Sequence, residues 1–427
     1  MKRILIFAAM LLSVAVSAQN YNVLEEVKAD RLKAAGMEGA YRFEENKLTP
    51  SPKGYRPFYI SHYGRHGSRY AWTSRAYTEI GDVLTEAEQA GNLTPFGVSF
   101  LERYLKFCEV PIANIGDLVQ LGEEQHARIA EEMARNFPKV FSGHKRVDAM
   151  SSVSGRCIVS MASFTTSLQK QFPKIDIHVK SNHLGMGIVA PPEAPKGYVR
   201  HFEGSDPDSL TREKLSQFIR RKVDVDGIMG HIFKDPSAVK HTGGTTDLLY
   251  WLYMFMGNYP NYSDPDLFSD VLTDEQYTQL WETYNYSSYL NDITERYQMI
   301  PLLENILEYA GIAIVNQDTA ADLRFGHDYV LEAFIALLNL DGFGTIPEKA
   351  DDVKYWFQSY RICKATNLQF VFYHSPRGNK DILFKILWNG SEASIPALRA
   401  VSGPYYRWDD FVTYAQGIIT AHPETEE

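Results

Sequence analysis

The residues best suited to chemistry lie in one short basic segment, Arg-His-Gly-Ser-Arg at residues 65–69. In this basic segment, the guanidiniums of Arg65 and Arg69 flank the imidazole of His66, and like charges so close together repel unless an anion separates them. Arginine carries a planar fork of donors that suits phosphate oxygens, and an imidazole can attack a bound phosphoryl group. The segment therefore predicts a phosphate site, and its alternative interpretation is an arginine-rich surface loop with a satisfied histidine.

Two further segments carry residues that could complete such a site. Arg156 and the pair His327-Asp328 each follow an apolar run of strand character. Taken alone, Arg156 is typical of a surface residue and Asp328 of a helix N-cap. Taken together with the basic segment, they predict a pocket with four phosphate-binding residues: Arg65, Arg69, Arg156 and His327.

Phosphoryl transfer explains why these residue types would be gathered in one place. Its transition state spreads charge over the phosphoryl oxygens and needs a cluster of donors more than it needs a base. His66 would be the nucleophile that attacks phosphorus. Asp328 would protonate the leaving alkoxide, and we expect the pKa of a carboxyl beside a trapped anion to be raised.

The elements that must position these groups are strands that end at a common edge. An apolar, aromatic run at residues 57–61 predicts a strand directly before the basic segment. Residues 146–151 and 321–326 predict strands before Arg156 and His327. Strands alternate with helical periodicity in the outer thirds of the chain, which predicts an α/β fold: a mostly parallel sheet with helices on both faces. Ligands of such sheets bind where strands break into loops, so we expect the three segments to converge.

The middle of the chain has a different texture, with many tyrosines and long helical runs, which predicts an inserted, mostly α-helical cap domain. The predicted division is a signal peptide at residues 1–18, an N-terminal segment with the first part of the α/β core and the basic segment at 19–75, a helical region at 76–139, α/β core at 140–189, the helical cap insertion at 190–310, and α/β core with the His-Asp motif at 311–427.

Composition limits the classes of function. The chain has 427 residues, of which 44% are hydrophobic and 22% charged, so wholesale disorder is excluded. After the N-terminus, no stretch has the uninterrupted apolar length of a membrane span, so we expect no stable membrane insertion. With 43 basic and 53 acidic residues and a net charge of −10, the chain is not expected to bind nucleic acid. The expected partner is a small anionic phosphate ester, bound through a local basic cluster.

The N-terminus has the pattern of a secretory signal peptide: a basic start, an apolar run and small residues ending at Ala18. We expect cleavage after Ala18 and a periplasmic or secreted protein. Its three cysteines, Cys108, Cys157 and Cys363, permit at most one disulfide, and the sequence leaves open whether any two of them pair.

Other motifs lose their support in context. A glycine-rich match at residues 185–190 is followed at once by two prolines, which disfavour the helix that a dinucleotide would need. Residues 224–227 lack the spacing of a calcium loop and predict a surface turn. The aromatic run at residues 250–255 predicts the core of a helix rather than a binding platform. The zinc, nucleotide and serine-hydrolase signatures do not occur.

The basic segment, Arg156 and His327-Asp328, in this order, resemble the signature of the histidine acid phosphatases. This branch of the histidine phosphatase superfamily includes phytases and multiple inositol polyphosphate phosphatases. The resemblance implies an α/β core with a helical cap, a phosphohistidine formed on His66, Asp328 as general acid, and neither metal nor cofactor. Ser68-Arg69-Tyr70 is similar to the inositol polyphosphate group, whereas that group usually carries His-Ala-Glu in place of His327-Asp328, so the substrate range stays open.

The sequence therefore predicts an exported phosphomonoesterase that acts on inositol polyphosphates such as phytate. The alternatives are a broad-specificity acid phosphatase for sugar phosphates or nucleotides, a non-catalytic phosphate-ester binding protein, and a phosphomutase, against which the signal peptide argues. A polyanionic substrate needs positive charge beyond the reacting phosphate. The candidates for that charge, each of which could equally be ordinary surface charge, are Arg75, Lys234, Lys240 and His241.

Overall fold

The computed structural model describes residues 22–203, 212–375 and 381–425, so the predicted signal peptide lies outside the described residues. The helices of these ranges are α1 (Val23–Lys28), α2 (Arg31–Ala34), α3 (Arg75–Gln89), α4 (Pro95–Ala113), α5 (Gln120–Asn136), α6 (Gly155–Gln171), α7 (His183–Val189), α8 (Arg212–Lys222), α9 (Val225–Ile232), α10 (Gly244–Asn258), α11 (Asp274–Glu295), α12 (Ile300–Asn316), α13 (Asp328–Leu338) and α14 (Trp408–Ala421). The strands are β1 (Arg56–Arg65), β2 (Arg146–Ser151), β3 (Asp176–Ser181), β4 (His201–Phe202), β5 (Thr319–Gly326), β6 (Asn367–His374), β7 (Leu383–Trp388), β8 (Ser391–Ala393), β9 (Tyr406–Arg407) and β10 (Glu424–Thr425).

The main sheet has the order β3-β2-β5-β1-β6-β7-β8, with β9 added beside β7. The four strands from β3 to β1 are parallel, and the strands from β6 onward are antiparallel to their neighbours. Eight consecutive residues of β1 are buried, as expected of a central strand that is covered on both faces. The predicted α/β fold with a mostly parallel sheet core is therefore confirmed, and an antiparallel edge extends it.

Alternate residues of the central strand point into two separate hydrophobic cores. Tyr59 and Tyr63 belong to the core that α12, α13 and α14 close on one face of the sheet. Ile60 belongs to the core that α5 and α6 close on the other face. This alternation follows from the two-residue period of a strand, and it gives the three-layer arrangement that the sequence predicts.

The helical cap has a core of its own, in which α3 and α4 pack with α8, α9, α10 and α11. The aromatic run at residues 250–255 lies inside α10, and Trp251 and Phe255 are buried there, as predicted. Helices α3 and α4, which follow β1 in the chain, thus share one core with α8 to α11, which follow β4. The exact domain limits remain a prediction. The stretch Asp274–Asn316 could cross a membrane by length and composition alone, but half of its most apolar window is buried, as in a core helix.

The structure corrects the prediction of a surface turn at residues 224–227 and answers the question of a disulfide. Asp224 is not part of a surface turn, because it is the N-cap of α9 and its side chain accepts a hydrogen bond from the backbone N–H of Gly227. The question of a disulfide is answered: Cys108, Cys157 and Cys363 are all unpaired. The stability of the protein therefore rests on its large cores.

The layer beneath the basic segment offers a test of the packing. Phe164 of α6 is fully buried, and its ring centre lies 5.4 Å from that of Phe325 in β5. We expect Phe164→Ala to lower the free energy of unfolding by about 3–5 kcal/mol, because the truncation removes apolar contacts and leaves a cavity. Val315→Ala is the matched control, since Val315 is 80% exposed. Urea unfolding followed by fluorescence measures both, and equal effects would contradict this account of the core.

Candidate active site

Three strand ends converge at one edge of the sheet. Arg65, the last residue of β1, is paired with Gly326 at the end of β5, and Ser151 at the end of β2 is paired with Phe325. The backbone N–H of His66 continues this pattern by donating to the carbonyl of Gly326 at 2.9 Å. Parallel pairing therefore brings the basic segment, the start of α6 and the start of α13 together, as predicted.

The basic segment is locked against α5 by a close approach of two glycines. A Cβ on Gly67 would lie 2.4 Å from the carbonyl oxygen of Gly122, which no side chain allows. The N–H of Ser68 donates to the side chain of Gln125 at 2.8 Å, and the N–H of Gly67 donates to the hydroxyl of Ser160 at 3.1 Å. This packing leaves the backbone around His66 no freedom to move.

His66 is held in the state that a nucleophile requires. Its Nδ1 lies 2.9 Å from the carbonyl oxygen of Gly67, and because a carbonyl only accepts, Nδ1 carries the proton. The lone pair of the neutral ring is therefore on Nε2, 3.4 Å from Nε of Arg69. Burial, followed by the positive charges of Arg69 and Arg65, holds the pKa of His66 well below its ordinary value.

His327 lies beside His66, and the centres of the two rings are 5.8 Å apart. Its Nδ1 faces a guanidinium nitrogen of Arg156 at 3.4 Å, and its Nε2 lies 2.9 Å from the hydroxyl of Ser152. Burial and the charge of Arg156 lower the pKa of His327 to about 3. The neutral ring therefore orients Arg156, and a contact of Nδ1 with a phosphate oxygen would require that this atom gain a proton.

Arg65 and Asp328 form an ion pair at the bottom of the site. Arg65 is fully buried, and it also donates to the carbonyls of Met37 and Ile362, each at 2.6 Å. Within the described part of the chain, its Nε–H has no hydrogen-bond partner. A buried cationic donor that is left unpaired is a feature to be expected of an anion site.

The pKa of Asp328 is expected to rise beside a bound anion, but among the protein groups alone it is lowered. Burial raises the pKa of the carboxyl, but the attraction of Arg65, Lys364 and Arg69 is stronger and holds it well below its usual range. Asp328 is therefore ionised while it pairs with Arg65. A phosphate seated among the guanidiniums would bring negative charge that opposes this effect.

The sequence analysis missed the buried carboxylate that collects these cations. Glu38 lies 2.7 Å from Nζ of Lys364, and it lies 4.0 Å from Arg65 and 3.9 Å from Arg69. Burial raises its pKa, but Lys364 and the two arginines outweigh this and lower it to about 2. Asn258 of α10 also donates to Glu38, so the cap and the core meet at this carboxylate. Glu38 and Lys364 belong to no motif, and only the fold brings them together.

These groups line one cavity of about 570 Å³ between the sheet edge and the helical cap. On the sheet side it is lined by residues of the predicted site and by Glu38. The residues of the predicted site that line it are His66, Arg69, Arg156, His327 and Asp328. Arg65 lies directly behind them through its ion pair with Asp328. The structure therefore brings all six predicted residues together.

The residues predicted to supply additional positive charge do not line this cavity. The lining of the cavity includes none of the four, Arg75, Lys234, Lys240 and His241. Arg75 and His241 both contact the carboxylate of Glu79, and Lys234 and Lys240 are exposed. Sequence position near the basic segment or in the cap was not enough to place a cation at the cavity.

The comparisons with known proteins agree with this geometry. The sequence profile of the histidine phosphatase superfamily (branch 2) matches residues 64–191, the part of the chain that carries His66 and Arg156. The predicted resemblance to the histidine acid phosphatases is thereby confirmed, and it supports the predicted enzyme class, a phosphatase. Among curated protein sequences, none matches the chain at a significant level.

Solved structures show which members of this class share the fold. The multiple inositol polyphosphate phosphatase of Bifidobacterium longum, in complex with inositol hexasulfate, is similar with a TM-score of 0.71 at 15% identity, over 90% of this chain and 97% of that one. The phytase of D. castellii is similar with a TM-score of 0.67 at 16% identity, over 94% of this chain and 86% of that one. The phytase of Citrobacter braakii has a TM-score of 0.54 at 13% identity, over 85% and 98%.

The pair of Glu38 and Lys364 can be tested by a double-mutant cycle. We expect Glu38→Gln to lower the free energy of unfolding by about 3–5 kcal/mol, because it leaves the buried Lys364 without its carboxylate. Lys364→Met should lower it by less, because Glu38 keeps Arg65 and Arg69 within 4.0 Å. The double variant should lose clearly less than the sum of the two single losses. Urea unfolding of the four proteins measures the coupling, and purely additive losses would show that the two charges do not depend on each other.

Proposed function

We propose that the protein is an exported phosphomonoesterase that transfers the phosphoryl group of its substrate first to His66 and then to water. One observation carries the proposal: a neutral, immobilised imidazole presents the Nε2 lone pair beside Arg69, within a cavity that Arg156 also lines. A nucleophile and phosphate-binding cations within one cavity are what phosphoryl transfer needs.

In the first step, Nε2 of His66 attacks phosphorus and forms a P–N bond while the bond from phosphorus to the ester oxygen breaks. The electron pair of that bond goes to the leaving oxygen, and Asp328 supplies its proton. Asp328 acquires that proton once the phosphate shares the guanidiniums that otherwise hold the carboxylate. The backbone carbonyl of Gly67 stabilises the cationic ring, because it accepts the hydrogen bond from Nδ1 throughout.

In the second step, water attacks the phosphohistidine, and the P–N bond breaks with its electron pair returning to Nε2. The carboxylate of Asp328 accepts the proton of the water as the base, and it loses this proton to solvent when the phosphate leaves and the carboxylate pairs with Arg65 again. The products are an alcohol and inorganic phosphate, so the reaction is a hydrolysis and needs no group beyond the side chains of the chain and water. Arg65, Arg69 and Arg156 stabilise the phosphoryl oxygens in both steps.

Inositol polyphosphates such as phytate are the substrate class that the resemblance predicts. The shared fold of the B. longum phosphatase, which was crystallised with inositol hexasulfate, supports this proposal. The second candidate, monoesters with one phosphate such as sugar phosphates or nucleotides, is favoured by the cavity itself, whose cap side carries carboxylates. Export to the periplasm or the exterior is proposed from the N-terminal pattern, and detection of the chain beginning at Gln19 outside the cytoplasm would test it.

The nucleophile is tested by His66→Ala. We expect release of phosphate from p-nitrophenyl phosphate to fall by at least ~10³-fold, because the covalent route is lost and only binding groups remain. Acid-quenched rapid mixing with a ³²P-labelled ester should trap a phosphoenzyme in the native protein and none in the variant. The control is His144→Ala, a change at an exposed histidine outside the cavity. Retention of substantial activity by the His66 variant would refute the assignment, and a native protein that binds phosphate without releasing it would be a binding protein.

The general acid is tested by Asp328→Asn with two leaving groups. For an alkyl phosphate, whose alkoxide needs a proton, we expect kcat to fall about 10²–10⁴-fold. For p-nitrophenyl phosphate the loss should be clearly smaller, because p-nitrophenolate leaves without protonation. Kinetics under single-turnover conditions compare the first step directly, and equal losses for both esters would mean that Asp328 only positions Arg65.

A further inference from the structure

Beyond the phosphate-binding part, the cavity is lined by further carboxyl groups, and burial raises the pKa of Glu295 among them. We call four of its lining residues the carboxylate wall: Glu193, Asp292, Glu295 and Glu332. Asp292 and Glu295 come from α11, and Glu332 comes from α13, one turn after Asp328. Glu193 lies at the opposite side, 3.7 Å from Nε2 of His327. The wall therefore faces any part of a substrate that extends beyond the reacting phosphate.

Two members of the wall are buried against each other. Asp292 is 5% exposed and Glu332 is 1% exposed, and they interact directly. Burial raises the pKa of both carboxyls, and two such groups in contact are expected to hold one proton between them. Among the described residues, Oε1 of Glu332 has no hydrogen-bond partner although it is buried at the cavity. An unpaired buried carboxyl oxygen matches a ligand with hydrogen-bonding groups, and a hydroxyl group can serve whether or not this oxygen carries the proton.

Aromatic rings fill the space between these carboxyls. Five aromatic side chains line the cavity: Trp72, Tyr250, Tyr253, Tyr284 and Tyr329. Tyr253 and Tyr284 are stacked with their ring centres 4.7 Å apart, and burial raises the pKa of both, so the phenols are neutral. The faces of such rings pack against sugar or aromatic rings and attract cations, whereas their neutral hydroxyl groups can donate hydrogen bonds.

Positive charge in the lining is confined to the phosphate-binding part. Arg69 and Arg156 are the arginines among the described lining residues, and no lysine is among them. A second phosphate on the substrate would therefore lie against the carboxylate wall, where like charges repel.

We infer that this cavity selects esters that carry a single phosphate on an uncharged or cationic, hydrogen-bond-donating organic group, and that the carboxylate wall excludes substrates with a second phosphate. The inference rests on the proposed function, since it concerns what the same site accepts. The substrate class is therefore sugar monophosphates and related esters. Glu295 and the other residues of the carboxylate wall discriminate against a second phosphate. A second phosphate then weakens the binding of a substrate to this cavity.

The experiment compares two substrates that differ by one phosphate, fructose 6-phosphate and fructose 1,6-bisphosphate. We expect kcat/KM of the native protein to be at least ~10-fold higher for the monophosphate, because the second phosphate meets the wall. Glu295→Gln should lower the ratio of the two kcat/KM values. Glu295→Lys should lower it further or make the bisphosphate the better substrate. Glu88→Gln is the matched control, since Glu88 is exposed on α3 and outside the cavity, and it should leave the ratio unchanged.

The ratio is measured from initial rates of phosphate release on the same preparation, so a partly unfolded variant does not alter it. A native preference for the bisphosphate, or for phytate over fructose 6-phosphate, would overturn the inference and leave the phosphatase intact. An unchanged ratio in Glu295→Lys, with activity retained, would also overturn it. Absence of phosphate release from every ester, p-nitrophenyl phosphate included, would instead refute the proposed function.

Discussion

The structure depends on the way it holds several positive charges together in a buried place. Arg65 and Lys364 are fully buried, and Arg69 is nearly so, although three cations in contact repel one another. Glu38 makes this arrangement possible, because one carboxylate approaches all three and keeps its own charge at a pKa of about 2. Glu38 and the ionised Asp328 bring two negative charges to these three cations, so the cluster keeps a positive excess. That excess is the property that a phosphate dianion can neutralise.

The same excess sets the protonation of every group around it. Together with burial, which is the larger cause, it lowers the pKa of His66 and His327, so that both rings are neutral. It also keeps Asp328 ionised, whereas the first step of the proposed reaction requires Asp328 to be protonated. A bound phosphate removes the cause, since its charge offsets that of the guanidiniums. Binding and activation are thus one electrostatic event: the nucleophile is ready beforehand, and the acid becomes ready when the substrate is in place.

Much of this arrangement could be predicted from the sequence, and the limit has a physical reason. Strand periodicity and the order of Arg65, Arg156 and His327 were sufficient to predict the α/β core and the convergence of six residues at one sheet edge. Glu38 could not be predicted, because a lone glutamate between glycines has no pattern that marks it as buried. The low pKa of Asp328 among the protein groups could not be predicted either, because it depends on distances to Arg65 and Lys364 that sequence separation does not contain.

Charge placement within the cavity also separates the chemistry from the choice of substrate. The sheet edge supplies cations from β1 and α6, whereas the cap supplies carboxyls and aromatic rings from α10 and α11. The whole chain has a net charge of −10, so a local cluster of cations is an exception to its overall charge. The arginines among the described lining residues lie at the sheet edge, where the proposed reaction takes place. Since the sheet edge and the cap are built by different segments, the cap side can change its charge without moving His66 or the guanidiniums.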